Sequence, residues 1–86
     1  MTYKFQIITF EDHFHDAEWV DPNHYKPKPC IVRYSGWVTK ETDTMIVLSQ
    51  GKTVKQRDDD TEYDGHMHIM KNCVIKRKTI RRSEWT

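Results

Sequence analysis

Residues 30–50, CIVRYSGWVTKETDTMIVLSQ, constrain the fold of this chain more than any other stretch. Ile46 and Leu48 fall on one face and Met45, Val47 and Ser49 on the other, which is the period of two that a strand imposes. Cys30 to Glu41 reads as one long strand broken at Ser35-Gly36, Thr42-Asp43 as a tight polar turn, and Thr44 to Gln50 as the returning strand. Glycine inside a strand marks a bulge or a sharp bend, so the hairpin is expected to kink at Gly36 and curl around a small core.

The rest of the chain agrees with a small β protein. Tyr3 to Phe10 alternates, with Tyr3, Phe5 and Ile7 on one face and Lys4 and Gln6 on the other; Ile8 and Phe10 lie opposite, so the end of that strand is twisted or covered on both sides. Residues 11–29 carry Pro22, Pro27 and Pro29, which remove backbone donors and push their predecessors toward extended conformations. This is read as one long ordered loop anchored by Phe14, Trp19 and Tyr25. Residues 51–65, GKTVKQRDDDTEYDG, form a second long loop. His66 to Met70 resumes a strand, Lys71-Asn72 turns, Cys73 to Ile80 is the last strand, and 81–86 is a tail. The expected fold is a single all-β domain over residues 1–86, a small five-stranded SH3-like or Sm-like barrel with two long loops. Closure would protect the sheet edges.

Composition decides two further points. A chain of 86 residues buries roughly 60% of the surface its unfolded form exposes, and here 36% of residues are hydrophobic against 31% charged. So thin a core predicts a homo-oligomer over an isolated monomer. The two cysteines, Cys30 and Cys73, are too few for a disulfide scaffold and each sits in an apolar run. The N-terminal residues lack the pattern of a signal peptide, no run has the length of a membrane span, and the expected setting is a reducing cytoplasm with no membrane partner.

Signatures of chemistry are weak. His13-x-His15 and His66-x-His68 each place two imidazoles on one face if extended, and Asp16 or Asp64 would complete a metal site only if the pairs came together. Surface or hydrogen-bonded histidines explain them better, so no metal and no cofactor is expected. Asp58, Asp59, Asp60 and Asp64 do not match the spacing of a calcium loop. Cys30 and Cys73 lack a basic neighbour, and no serine-nucleophile or phosphate-loop motif is present. Histidine-based cleavage of a phosphodiester stays open as the enzymatic alternative.

Binding fits the residues better. Arg33 and Lys40 lie on the long strand, Lys52, Lys55 and Arg57 on the second long loop, and Lys76, Arg77 and Lys78 on the last strand, with Trp19, Tyr25, Tyr34, Trp37 and Tyr63 interleaved. Cations for phosphates and rings for bases are what a nucleotide ligand requires. Each residue alone is also compatible with a core position or a solvated surface. The expected ligand-binding set is Trp19, Arg33, Trp37, Lys40, Lys52, Lys55 and Arg57, with Trp37 and Trp19 stacking a base and the cations pairing with phosphates. Charge is also divided along the chain: Glu11, Asp12, Asp16, Glu18 and Asp21 crowd the start, and Lys71, Lys76, Arg77, Lys78, Arg81 and Arg82 fill the end. That division fits complementary edges within or between subunits, a nucleic-acid-binding C-terminal strand and tail, or an acidic segment that docks on a basic host protein.

The run GWVTKETDTMIVLS at 36–49, followed by NCVIKRK at 72–78, resembles small uncharacterised proteins of tailed bacteriophages. They share a Gly-Trp strand, a charged turn, an Ile/Val-Val-Leu strand and a closing Cys-Val/Ile-Ile-Lys-Arg strand. The likeness covers about half the chain, from Val32 to Ile80 without the variable loop. It implies an accessory protein acting in the cytoplasm of an infected bacterial host. By analogy with small oligomeric phage sponges, the expected function is non-enzymatic sequestration of a phosphate-bearing immune signal of the cyclic-nucleotide or cyclic-ADP-ribose type.

Overall fold

The computed structural model describes residues 3–15, 17–54 and 61–81, and within them the chain is all-β. Five antiparallel strands form one sheet: β1 (Phe5–Asp12), β2 (Cys30–Glu41), β3 (Met45–Lys52), β4 (Tyr63–Met70) and β5 (Val74–Ile80). Their order is β4-β3-β2-β1-β5. A 3₁₀ turn, Lys71–Cys73, is all that separates β4 from β5 in sequence, yet those strands are the two edges of the sheet. Only a strongly curled sheet satisfies both facts.

Alternation decides what fills the curl. Ile8 and Phe10 from β1, Ile46 and Leu48 from β3 and Ile69 from β4 form the buried core, with Val32, Tyr34, Val38, Met67 and Val74 packed against it. The Ile8–Phe10 face of β1 is therefore the inner one, and Phe5, Ile7 and Thr9 face outward. The turn between β2 and β3 lies where Thr42-Asp43 predicts it. The Thr42 hydroxyl accepts from the backbone N–H of Met45 at 3.1 Å, and Thr42 N–H donates to the Met45 carbonyl.

Gly36 does not bend β2. Its register with Gln6 is regular, and the bulge in the β2–β3 ladder falls between Val38 and Lys40. Gly36 instead permits a close approach, since a Cβ there would stand 2.7 Å from the Ser49 carbonyl oxygen. The bulge turns Lys40 outward opposite Val47 and Glu41 inward opposite Ile46. Both long loops are shorter than expected, because β1 runs on to Asp12, β3 to Lys52, and β4 starts at Tyr63. Gly65 thus lies inside β4, at a φ of 64° that favours glycine.

The sheet is curled but not closed into a barrel. β4 pairs with β3 and β5 with β1, with no ladder between the two edges. Side chains tie β5 and the 3₁₀ turn to the end of β2. The Arg77 guanidinium donates to both oxygens of the Glu41 carboxylate, at 2.8 and 3.3 Å, and Lys71 reaches Glu41 Oε2 at 2.9 Å. Arg77 also donates through Nε and Nη2 to Gln6 Oε1, at 3.1 and 2.9 Å, and the Gln6 amide donates to Thr79 Oγ1. Five residues from β1, β2, β5 and the 3₁₀ turn thus make one polar clasp that holds the end of β2 to β5 across β1.

The clasp sets a pH dependence. Hydrogen bonds from Arg77, then from Lys71, hold the Glu41 carboxyl at about 2, down from an ordinary 4.5. A depressed folded value means that its stabilisation is complete above about pH 4.5 and is lost as pH falls toward 2. The Glu41 side chain remains 36% exposed, so solvent screening reduces this to roughly 1 kcal/mol. Urea unfolding at pH 6 and pH 3 is expected to show that loss in the native chain, and Glu41→Gln to be less stable at pH 6 with a smaller further loss on acidification.

Candidate functional site

Pairing of the first strand with the last assembles a cationic patch on the outer face. Lys76 pairs with Thr9, which pairs in turn with Arg33; Lys78 pairs with Ile7, which pairs with Ser35. Side chains at alternate positions share a face, so Lys76 and Lys78 stand together while Arg77, between them, turns inward to the clasp. Strand geometry puts the Cα atoms of Lys76 and Lys78 about 7 Å apart and those of Lys76 and Arg33 about 10 Å apart. The three cations and the Ile7 and Thr9 side chains line a shallow depression of ≈ 200 Å³.

Arg33 is oriented by its neighbour, with Nε donating to Thr9 Oγ1 at 3.2 Å. Arg33, Lys76 and Lys78 make no ion pair among the described residues, and Glu41 is taken by Lys71 and Arg77. Glu11 follows Thr9 on the same face without reaching any of the three within 4.0 Å. Like charges at about 8 Å repel by roughly 0.5 kcal/mol per pair in water, so a bound polyanion relieves a standing cost. The Thr9 hydroxyl at the centre adds a polar contact, and Ile7 gives an apolar floor.

An aromatic group adjoins the patch. Phe5, two residues from Ile7 on the same face, pairs directly with Trp37, and their rings meet edge-on at 5.1 Å. Tyr63 stands 5.9 Å from Trp37 and Tyr3 lies 5.4 Å from Tyr63. The Lys52 ammonium is 5.1 Å from the centre of the Trp37 ring. Trp37 is half-buried in this outer cluster, outside the core formed by Ile8, Phe10, Ile46, Leu48 and Ile69.

The structure therefore divides the expected binding set. Arg33 lies in the patch and Trp37 at its aromatic end, about 13 Å along β2. Lys52 is engaged by Trp37 and borders a separate hollow with Glu62 and Asp64. Lys40 lies beyond the bulge, about 23 Å along the strand from Arg33. Trp19 stands in the 13–29 segment and is fully exposed, so it does not anchor that segment as expected, while Phe14 and Tyr25 line a hollow within the segment. Lys55 and Arg57 lie outside the described residues. The residues added to Arg33 are Lys76 and Lys78; the alternating basic run on the last strand was the signal, and it became specific only once β5 paired with β1.

Two other clusters are accounted for. A hollow of ≈ 500 Å³ is lined by Tyr3, Lys4, Gln6, Val38, Glu41 and Arg77, but its strongest cation is neutralised by Glu41. Ser49 Oγ lies 2.7 Å from His66 Nδ1 and 2.7 Å from Thr39 Oγ1. This resembles a nucleophile beside its base, but Ser49 is fully buried and offers no surface to a substrate. It is a strut tying the bulge at Thr39 to β4. His13 and His15 follow β1 while His66 and His68 lie on the edge strand β4, and among the described residues no three metal-binding side chains gather. Cys30 and Cys73 are free thiols, and among the described residues no helix is long and apolar enough to cross a membrane. Comparison with protein-family models, with curated proteins and with solved structures finds no match to this chain.

Proposed function

We propose that this chain is a non-enzymatic binding protein for a phosphate-bearing nucleotide ligand, of the cyclic-nucleotide or cyclic-ADP-ribose type, which it sequesters as a bacteriophage accessory protein in the cytoplasm of an infected host. The observation that carries this reading is the set of three cations, Arg33, Lys76 and Lys78, held on one face around Thr9 without a carboxylate partner among the described residues. Charge-assisted hydrogen bonds from a guanidinium and two ammonium groups suit a phosphate. The apolar path along Ile7 to Phe5 and Trp37 suits the sugar and base. The phage setting rests on the sequence resemblance.

The test is calorimetric titration of the purified protein with cyclic dinucleotides, cyclic ADP-ribose and short single-stranded oligonucleotides. Arg33→Ala, Lys76→Ala and Lys78→Ala together are expected to weaken binding of the preferred small ligand by about 100-fold or more, since each removes a charge-assisted contact. Lys40→Ala and Lys52→Ala, placed elsewhere, are expected to leave affinity within about 3-fold, a change of under 1 kcal/mol. Ligand recovered from heat-denatured protein is expected intact, and a cleaved product would overturn the sequestering role. Failure to bind any phosphate-bearing probe would overturn the reading as a whole.

A nucleic-acid partner is the second reading, favoured by the row of Lys76 and Lys78 along one face of β5, in a depression that is shallow and not enclosed. Salt separates the two. An oligonucleotide that displaces many counterions loses affinity steeply with added salt, whereas a ligand with one or two phosphates loses much less.

A further inference from the structure

The segment between β1 and β2 is an arm with no counterpart in the rest of the sheet. Every described residue from 11 to 29 is exposed. It is nevertheless built: Asp21 accepts from Asn23 N–H through its carboxylate, and its carbonyl accepts from His24 and Tyr25, closing a turn between two legs. Pro27 and Pro29 stiffen the second leg. The radius of gyration, 16.9 Å, exceeds the about 12 Å of a compact chain of this length; the long axis is 59 Å against 27 and 21 Å across.

The legs enclose a hollow of ≈ 380 Å³ lined by Phe14, Glu18, Val20, Tyr25, Pro27 and Lys28. Trp19 sits between two of those lining residues and is 101% exposed, as open to water as an isolated residue. Its indole therefore stands in water and not in the hollow. The arm thus carries a large apolar knob without cover and, beside it, a hollow in which Phe14, Val20, Tyr25 and Pro27 supply apolar surface between Glu18 and Lys28. Charge divides the same way: the knob-bearing stretch 11–21 holds five carboxylates and no Lys or Arg, and the opposing stretch 22–29 holds Lys26 and Lys28 and no carboxylate.

We infer that Trp19 of one copy inserts into the arm hollow of a second copy, with its acidic leg against the partner's lysine-bearing leg. Knob and hole are different surfaces of each arm, so a single insertion joins unlike surfaces and leaves a hole and a knob open for further copies, which makes the contact heterologous. The inference is independent of the ligand reading, because the arm does not line the cationic depression on β1, β2 and β5.

Sedimentation analysis of the purified chain over a concentration series up to the millimolar range tests it. The native chain is expected to associate, and Trp19→Ala to weaken association by at least about 30-fold, the loss of one hot-spot side chain. Phe14→Glu, which places a carboxylate in the hole, is expected to do the same. Both changes lie on exposed arm residues, so circular dichroism and the thermal transition of the sheet should match the native chain. Mixing the two variants is the decisive measurement. One retains the hole and the other the knob, so together they should form a 1:1 dimer that grows no further. A monomeric native chain, native-like association of Trp19→Ala, unaffected association of Phe14→Glu, or a mixture that stays monomeric would each overturn the inference.

Discussion

Gly36→Val is expected to destabilise the domain strongly. The position lies in the middle of β2, paired with Gln6 on one side and packed against β3 on the other. A Cβ there would meet the Ser49 carbonyl oxygen at 2.7 Å, its carbon at 3.1 Å and Leu48 Cβ at 3.4 Å. The first two are backbone atoms, which no rotamer change can move away. Relief requires β2 and β3 to separate, and Leu48 and Ser49 are both fully buried at that point. Overpacking a core costs about 1–3 kcal/mol when side chains can adjust, and here they cannot. The gain in strand propensity on replacing glycine returns only about 0.5–1 kcal/mol. A net loss of about 3 kcal/mol or more is expected, against a total stability of roughly 4–13 kcal/mol for a chain of this length. Urea denaturation followed by circular dichroism measures it, and an unchanged midpoint would show that the strands part at little cost. Gly36→Ala is expected to lose less, because it adds the same first carbon without the branches.

Gly36 also shows how the sequence conveys the fold. A glycine in an apolar alternating run signals a special backbone position, and it is one. What the local pattern does not carry is which special feature is present, because close approach depends on an atom of Ser49, thirteen residues away. The true bulge, at Thr39, has no glycine and no local mark; it is recognised by the Thr39–Ser49–His66 hydrogen bonds that occupy it. Strands whose inner and outer faces differ in polarity were legible, and the bounds of β2, Cys30–Glu41, follow from its apolar run and the Pro29 before it. β4 was legible only from His66, since Tyr63, Asp64 and Gly65 read as loop residues and are held in the strand by pairing with Lys52 and Gly51. The open edge escaped notice for the same reason: Glu41 and Arg77 meet across 36 residues.

The site was legible in kind and not in membership. Residue types suited to phosphate and rings were evident, but seven candidates spread over three segments have no common location until β5 pairs beside β1. That pairing selects Arg33, adds Lys76 and Lys78, and sends Lys40, Lys52 and Trp19 elsewhere. The arm residues read as anchors because large apolar side chains in a long loop usually dock on their own domain. Here the inner face is already filled by the core cluster, and Trp19 remains fully exposed.

The run Lys76-Arg77-Lys78 is expected to separate stability from binding by position alone. Arg77 faces inward and donates to Gln6 Oε1 and to both oxygens of Glu41. Arg77→Ala leaves the buried Gln6 carbonyl without its donor and the Glu41 carboxylate held by Lys71 alone. Losing one partner of a buried charged network costs about 3–5 kcal/mol. Partial exposure of this clasp, with Arg77 at 31% and Glu41 at 36%, reduces the expectation to about 2 kcal/mol. Lys76→Ala and Lys78→Ala face outward with no ion pair, so each is expected to change stability by less than about 0.5 kcal/mol, and removing mutual repulsion makes a slight gain the expected sign. Binding of a phosphate-bearing probe should respond in reverse. It falls by about 10-fold for each outward lysine, one charge-assisted contact apiece, and stays near native for Arg77→Ala measured well below its own thermal transition. Denaturant midpoints and calorimetric titrations on the same three proteins test both halves. If Arg77→Ala loses binding without losing stability, the inner hollow beside Glu41 is the ligand site, and the outer face of β1, β2 and β5 is only a charged surface.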